Sequence, residues 1–379
     1  MPACWWYQAR ATRSTSSSRR SSTAPCWSSW TRWARVGDVV RTLHMGIEAI
    51  GAEVVCLLAR DPRFRVVAAV DSDPSKIGRD LGEVVGLGQH LGVTVVGDLE
   101  QAPRQGDAQV MVHTAGSYLP QEVGAITLAL SRGLHVLSTC EELSFPWARH
   151  PELAKRLDAE ARSRGLRVLG AGVNPGFVMD LLPSLLAAAC QQVHVVRVRR
   201  VVDLSRRRPQ LQRKMGVGLS PQEFEAQARA GALGHVGLLE SALMLADALS
   251  WELDEVREDM SPVLAPRYVR AGPLRLEPGQ VAGARQTVTG LRDGRSVLEL
   301  ELVMALDAPD PHDAIEIEGV PPLRAVLPGG VQGDRATAAL LVRLLPTIVH
   351  GPAPPGLITV RDLPIVPRRV ERGEEGTEA

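Results

Sequence analysis

The sequence predicts an α/β protein: a doubly wound parallel sheet, followed by an α+β domain with a mostly antiparallel sheet. Three observations predict it. From Val39 onward, short apolar strand runs alternate with amphipathic helical segments. After Gly176 the strands alternate apolar with polar residues. Between residues 262 and 327 strand-like runs are separated by frequent turn signals. The 379 residues suit two domains of roughly 100–200 residues each.

In order, VVRTLHMG is a short buried strand, IEAIGAEVVCLLARD a helix with an apolar period of about 3.6, and FRVVAAVDSD a second buried strand. Strands follow at VTVVGD, AQVMVHTAGS, HVLSTC and RVLGAG, with helices at EVGAITLALSRG and PELAKRLDAEARSRG. Gly133 and Gly165 close those helices, as glycines just past a helix end do. Beyond Gly176, a helix at FVMDLLPSLLAAAC leads into the strand VHVVRVRRVV, and residues 221–250 are helical from a Ser220-Pro221 start. QVAGARQTVTG, RSVLELELVMAL, AIEIEG and LRAVLPG are strands, with Asp293-Gly294 as a hairpin turn. A helix from about Asp334 to His350 precedes a Pro/Gly-rich segment.

The organisation expected is a dinucleotide-binding domain over residues 38–176 and an α+β domain over 177–330. Residues 331–364 pack back on the first domain, and 365–379 fray. Residues 1–37 hold five of the seven tryptophans among Ser, Arg and Thr without any period, which marks a disordered or wrongly assigned extension.

The 43 basic residues balance the 43 acidic ones, so no surface for nucleic acid or anionic membrane is expected. No run of about 18 apolar residues predicts a membrane span, and the polar N-terminus lacks the apolar centre of a secretory signal, which points to the cytoplasm. Five scattered cysteines without a C-x-x-C pair argue against a disulfide framework, and the histidines show no ligand spacing, so no metal is expected.

The first strand-to-helix turn, Gly46-Ile47-Glu48-Ala49-Ile50-Gly51, matches G-x-G-x-x-G at its first and third glycines and fails at Glu48. Glu48 puts a negative charge where a pyrophosphate meets the helix N-terminus. The other five residues are the candidate phosphate cradle. Asp71, 25 residues after Gly46, ends the second strand, where an acid accepts the adenosine ribose hydroxyls of NAD and repels the extra phosphate of NADP. NAD is therefore the expected cofactor, with NADP possible through neighbouring loops.

Ligands of open α/β sheets lie beyond the carboxyl ends of the strands. Three such ends carry small or polar residues: Thr114, Ala115, Gly116 and Ser117; Ser138, Thr139, Cys140, Glu141 and Glu142; and Gly172 to Gly176, which includes Asn174 and Pro175. Thr114, Ala115, Gly116, Ser138, Thr139 and Cys140 are candidates for the cofactor, and the two glutamates supply carboxylates to the cleft.

DSDPSKIGRDLGEVVGLG, STCEELSFPW, GVNPGFVMDLLP, GHVGLLES, VAGARQT and GGVQGDRATAA, in this order and spacing, resemble the 2,4-diaminopentanoate dehydrogenase family. That family of NAD(P)-dependent amine dehydrogenases is similar in fold to dihydrodipicolinate reductase. The resemblance runs from about Val39 to Pro364 and departs from the family pattern at Glu48, where the family has glycine. It implies a Rossmann domain, a C-terminal domain for substrate and oligomer contacts, and oxidative deamination of a primary amine on a short carbon chain. A homodimer or homotetramer is expected, the broad antiparallel sheet offering a face for a twofold partner.

Such a reaction needs a base for the ammonium proton and groups for the substrate's charged ends. Glu142 is the favoured cleft acid and Asn174 an orienting amide, while Asp203 and Lys214 are further catalytic candidates. Glu141, Pro175, Gly176, Arg207 and Arg208 are assigned to the substrate, the arginines to a carboxylate. His235 is expected as a capping or interface residue. Two alternatives stay open: a dihydrodipicolinate reductase-like enzyme of another substrate, although no His-His pair is present, and a non-catalytic dinucleotide-binding protein with a degraded turn.

Overall fold

A computed structural model describes residues 39–102, 107–205, 207–271 and 274–363. The expectations for residues 1–37 and 365–379 lie outside the described residues.

The first layer contains strands β1 (Val40–Met45), β2 (Phe64–Val70), β3 (Val95–Val96), β4 (Val110–His113), β5 (His135–Ser138) and β6 (Arg167–Gly170). Between them lie helices α1 (Ala49–Leu58), α2 (Leu81–Val84), α3 (Leu119–Ser131) and α4 (Pro151–Ser163). Then come α5 (Leu181–Ala187), β7 (Gln192–Asp203), α6 (Pro209–Lys214), α7 (Pro221–Arg229) and α8 (Leu238–Ala248). Strands β8 (Glu255–Leu264), β9 (Val269–Ala271), β10 (Leu274–Leu276), β11 (Val281–Arg292), β12 (Arg295–Ala305), β13 (His312–Val320) and β14 (Leu323–Pro328) follow. Helix α9 (Gly333–His350) and strand β15 (Gly356–Ile358) end the described fold.

The first sheet has the order β15-β6-β5-β4-β1-β2-β3 and is parallel throughout. All four residues of β4 are buried, because a parallel sheet is covered on both faces. Val110 and Val112 face one core with Val54 and Leu58 of α1 and Leu341 and Leu344 of α9, whereas Met111 faces the other with Ile126 and Leu130 of α3. The second sheet has the order β14-β13-β7-β12-β11-β8 and is antiparallel except where β7 runs beside β12. Val196, Val198, Leu298, Leu300 and Ile315 join Ala242 and Leu245 of α8 in its core. The Pro/Gly-rich segment after α9 supplies β15, which returns the chain to the edge of the first sheet beside β6. Among the described residues no helix is long and apolar enough to cross a membrane.

Two expectations are corrected. Residues 221–250 are not one helical stretch. Gly231, Gly234 and Gly237 all take positive φ, between +69° and +106°, and separate α7 from α8. Three glycines in seven positions pay too much backbone entropy to continue a helix. Strand structure also begins earlier than residue 262, at Glu255, where EVREDMS reads as polar because β8 is an edge strand with much of its length exposed. Asp293 and Gly294, at φ +51° and +68°, make the tight turn between β11 and β12.

His44 of β1 is wholly buried, neither ring nitrogen meets a partner, and burial pushes its pKa down to about 3. The unfolded chain takes a proton at this histidine near pH 6.5, and the folded chain does so only near 3. Its contribution to stability is therefore whole above pH 6.5 and is lost as pH falls, at about 1.4 kcal/mol per pH unit. His44→Leu is expected to narrow the gap between the thermal midpoints at pH 7 and pH 5. An unchanged gap in that variant would show that the acid sensitivity lies elsewhere.

Candidate active site

The turn after β1 is built on two positions that admit no side chain. Gly46 has φ +86°, and a Cβ there would lie 2.8 Å from the backbone of Thr114 and Ala115. A Cβ on Gly51 would lie 2.1 Å from the Gly46 carbonyl oxygen and 2.6 Å from Thr114 Oγ1. Thr114 Oγ1 itself donates to the Gly46 carbonyl at 2.5 Å. Glu48 occupies the N-cap of α1 in extended conformation and makes no capping bond with its side chain. The turn therefore forms despite the missing second glycine, and Glu48 borders the cleft.

Asp71 differs from its expected state as a free acceptor. Its carboxylate already receives Ile47 N–H at 2.7 Å, Asp73 N–H at 2.9 Å and Lys76 Nζ at 2.9 Å. Ile47, one of the expected cradle residues, thus spends its N–H on Asp71.

The strand ends open into a cleft of about 600 Å³ between the two sheets. Of the expected cofactor residues, Ile50, Thr114, Ala115, Gly116, Thr139 and Cys140 line it. Gly46, Ile47, Ala49, Gly51, Asp71 and Ser138 do not. Ser138 lies behind the wall, where its Oγ meets His113 Nδ1 at 2.8 Å and accepts Cys140 N–H at 3.0 Å. His113 Nε2 in turn meets Glu122 at 2.8 Å, so a buried relay braces the turn that carries Glu141. Burial pushes the Cys140 thiol far up, leaving it protonated.

The adjacent glutamates part company. Both belong to the tight turn Glu141–Ser144, where three residues complete a revolution and successive side chains diverge. Glu141 lines the cleft. Burial pushes its pKa up to about 7, against Ser117 and Lys214, which favour the charged form, and with help from Glu240. Glu142, the acid favoured from sequence, does not line the cleft. Its Oε2 accepts Leu119 N–H at 2.8 Å, at the start of α3, and meets His150 Nε2 at 2.7 Å.

Asn174 and Pro175 line the cleft and Gly176 does not. Asn174 is buried and its Nδ2 has no partner. Gly176 gives its N–H to the buried Asp180 carboxylate at 2.7 Å. Asp203 also lies off the cleft: one carboxylate oxygen accepts Ser205 N–H at 2.9 Å, Ser205 Oγ at 2.7 Å and Asp307 N–H at 3.1 Å, closing a loop.

The opposite wall is cationic. Arg207, Arg208 and Lys214 line it, joined by Arg200 and Arg213, which sequence reasoning missed. Arg200 is spent, with Nη1 2.8 and 2.9 Å from the two Asp313 oxygens and Nη2 donating to the Val331 carbonyl. Arg207 and Arg208 share a single carboxylate, Asp334, at 3.2 and 3.5 Å, and the Nε of each is buried without a partner. Among the described residues Lys214 has no ion-pair partner.

His235 also lines this wall rather than capping a helix. Its Nδ1 donates to the Val236 carbonyl at 2.5 Å, so the neutral ring presents Nε2 as an acceptor. Burial pushes its pKa down to about 4, and the nearby Lys214, Arg200 and Arg207 add to this. The Gln286 side chain clamps its backbone, accepting His235 N–H at 2.6 Å and donating to its carbonyl at 3.2 Å. The only signal in the sequence was the pair GHVGLLES and VAGARQT, whose contact requires the fold.

A parallel sheet with a glycine turn after its first strand, facing a second sheet across a cleft with an acid of raised pKa and a cationic wall, defines a two-sheet α/β oxidoreductase. A family model for the 2,4-diaminopentanoate dehydrogenase C-terminal domain matches residues 177–375. Over 346 residues the chain is 31% identical to the 2,4-diaminopentanoate dehydrogenase of Acetoanaerobium sticklandii, covering 88% of this chain and 95% of that protein. It is 25% identical over 356 residues to an amine dehydrogenase of Streptomyces virginiae, covering 87% and 97%. The solved structure of the amine dehydrogenase from Mycobacterium smegmatis superposes with a TM-score of 0.76 at 26% identity, covering 88% of this chain and 98% of that one. The chain belongs to the 2,4-diaminopentanoate dehydrogenase family, a family of amine-oxidising dehydrogenases.

Gly51→Ala is expected to force the turn apart, lowering stability by about 1–3 kcal/mol and weakening dinucleotide binding. Gly124→Ala, in α3 with open space around the new methyl, is the control and should raise stability by about 0.5–1 kcal/mol. Thermal unfolding with a dinucleotide titration checks both; equal effects at the two sites would remove the packing argument.

Proposed function

We propose that this protein oxidatively deaminates a primary amine that carries a carboxylate a short carbon chain away, using a nicotinamide dinucleotide and releasing a ketone and ammonia. One observation carries the reading: a single cleft holds Glu141, with its pKa near 7, opposite Arg207 and Arg208, whose buried Nε groups have no partner. Buried donors without acceptors call for an anionic ligand. Membership of the amine dehydrogenase family supports the reaction class.

The residues present fit a dinucleotide. The two glycines let the turn close against Thr114 and Ala115, and the N-terminus of α1, with its first N–H groups outside the helix ladder, carries no side-chain cap. Gly46, Ala49, Ile50 and Gly51 would hold the pyrophosphate, and the small residues Thr114, Ala115 and Gly116 would border the rest of the cofactor. When bound, the nicotinamide supplies the hydride acceptor.

Glu141, as a carboxylate, takes a proton from the substrate ammonium and frees the nitrogen lone pair that assists oxidation at the adjoining carbon. Once that proton has passed to solvent, the restored carboxylate orients the water that replaces the nitrogen. A base with a pKa near 7 holds the proton loosely enough to exchange it at neutral pH. Asn174 Nδ2 offers an N–H with no competing protein acceptor, suited to orienting a ligand oxygen. Arg207, Arg208 and Lys214 bind the substrate carboxylate, the arginines through planar guanidinium donors and Lys214 as a point charge. In this reading Glu142 and Asp203 support the fold rather than the chemistry, and NAD is the cofactor the site is built for first.

Because the working form of Glu141 is deprotonated, kcat/KM is expected to fall as pH drops through about 7. Glu141→Gln should cut kcat by about 10²–10⁴ and abolish that limb, while Glu142→Gln should lower thermal stability and keep it. The reverse pattern would move the base to Glu142. Arg207→Gln and Arg208→Gln should each raise KM for a carboxylated amine about tenfold or more, against little change for an uncharged amine of the same length. Equal changes for both amines would refute the carboxylate site.

A further inference from the structure

Arg207 and Arg208 meet their protein carboxylate poorly. Asp334, in the first turn of α9, offers one oxygen to both: Oδ1 lies 3.2 Å from Arg207 Nη2 and 3.5 Å from Arg208 Nη2. Ionic N–H to carboxylate bonds run at about 2.7–2.9 Å, and a guanidinium commonly makes two of them in parallel. The same chain makes close contacts at Arg200, whose Nη1 stands 2.8 and 2.9 Å from the two Asp313 oxygens, with both side chains buried. Asp334 by contrast keeps 27% of its side-chain surface exposed. Gly333 beside it has no side chain, and a Cβ there would lie 2.9 Å from Arg207 Nη2, so the guanidinium rests against the start of α9.

The donors left over mark where an anion belongs. In a guanidinium the Nε–H and one Nη2 N–H point the same way along one edge, and a carboxylate takes that edge through two parallel bonds. Asp334 touches only the Nη2 half of the edge in each arginine, while both Nε groups are buried without a partner. A ligand carboxylate that reaches Nε and Nη2 together must take the place of Asp334 Oδ1. Gly333, Asp334 and both arginines line the cleft, so an anion arriving there meets this edge.

We propose that Asp334 is a displaceable counter-ion, which occupies part of the carboxylate position while it is empty and yields the arginine edge to the carboxylate of the substrate. The proposal rests on the carboxylate part of the function proposed above and is independent of the base and the dinucleotide. Once released, Asp334 stands beside the free N–H groups and positive end of α9, where a carboxylate is favoured. The helix itself need not move: Leu341 and Leu344 fix it in the core of the first sheet, and Thr337 Oγ1 accepts Val173 N–H at 3.1 Å. Asp334 thereby becomes a specificity-determining residue. For a ligand with a carboxylate, its charge opposes entry and must be moved aside. For a ligand without one, it keeps the two neighbouring guanidinium charges from standing without an anion.

The test titrates the full chain calorimetrically with pentanoate and pentanamide, a carboxylate and its neutral counterpart. Asp334→Asn is expected to bind pentanoate about tenfold or more tightly than wild type, with pentanamide changed by less than about twofold. Asp334→Glu keeps the charge and should hold pentanoate near the wild-type Kd, which separates lost charge from a disturbed start of α9. A crystal structure of wild type with pentanoate needs no variant: the ligand oxygens should meet Nε and Nη2 of Arg207 or Arg208, with Asp334 Oδ1 beyond hydrogen-bond reach of that arginine. Pentanoate bound no more tightly by Asp334→Asn, or bound with Asp334 still on both Nη2 groups, would overturn the counter-ion. Pentanoate bound by neither wild type nor the folded Asp334→Asn variant would overturn the carboxylate site and the counter-ion with it.

Discussion

The Asp180 carboxylate is wholly buried where the chain passes from β6 of the parallel sheet to the second sheet, and the cleft depends on how it is satisfied. A buried charge is tolerable only when donors surround it. Asp180 receives Gly176 N–H at 2.7 Å, Leu181 N–H at 2.6 Å and Ser241 Oγ at 2.7 Å. The first two pin the loop that presents Asn174 and Pro175, and the third ties that loop to α8. With α8 drawn in, Gly237 at its N-cap comes so near that a Cβ would stand 2.4 Å from Pro175 Cδ and 3.0 Å from Glu141 Cβ. One satisfied carboxylate thus sets the approach of the two sheets around the acid proposed as the base.

The cleft then divides its charges by wall. On the strand-end side the Glu141 carboxylate is raised by burial into the range where proton exchange is easy. On the other side Arg207 and Arg208 share Asp334 and retain unsatisfied donors. An amine that carries its own carboxylate is complementary to both walls, with each charged end meeting the opposite sign. An uncharged amine would leave the arginine donors buried and unpaired, which is costly.

Much of this was legible in the sequence because it is local. Apolar runs separated by amphipathic helices announced the parallel sheet, Gly46 and Gly51 marked the turn, and the small residues at the strand ends marked the cleft. The remainder depends on direction and distance. Glu141 and Glu142 are equivalent as letters, and only the tight turn decides which faces inward. Strand β8 was hidden because an edge strand need not be apolar, and the helix break before α8 because glycines at 231, 234 and 237 are each tolerable alone. Lys76 lies five residues from Asp71, yet its return to that carboxylate depends on two side-chain turns that no hydrophobic period records. His235 entered the cleft through its clamp on Gln286, 51 residues away.

The most direct measurement is a crystal structure of the protein with NAD and a carboxylated amine whose carbon cannot be oxidised. The account predicts the pyrophosphate on the turn of residues 46–51, the ammonium against Glu141 and the carboxylate on Arg207 and Arg208. An ammonium bound away from Glu141, or a carboxylate bound where the arginines do not reach, would contradict it.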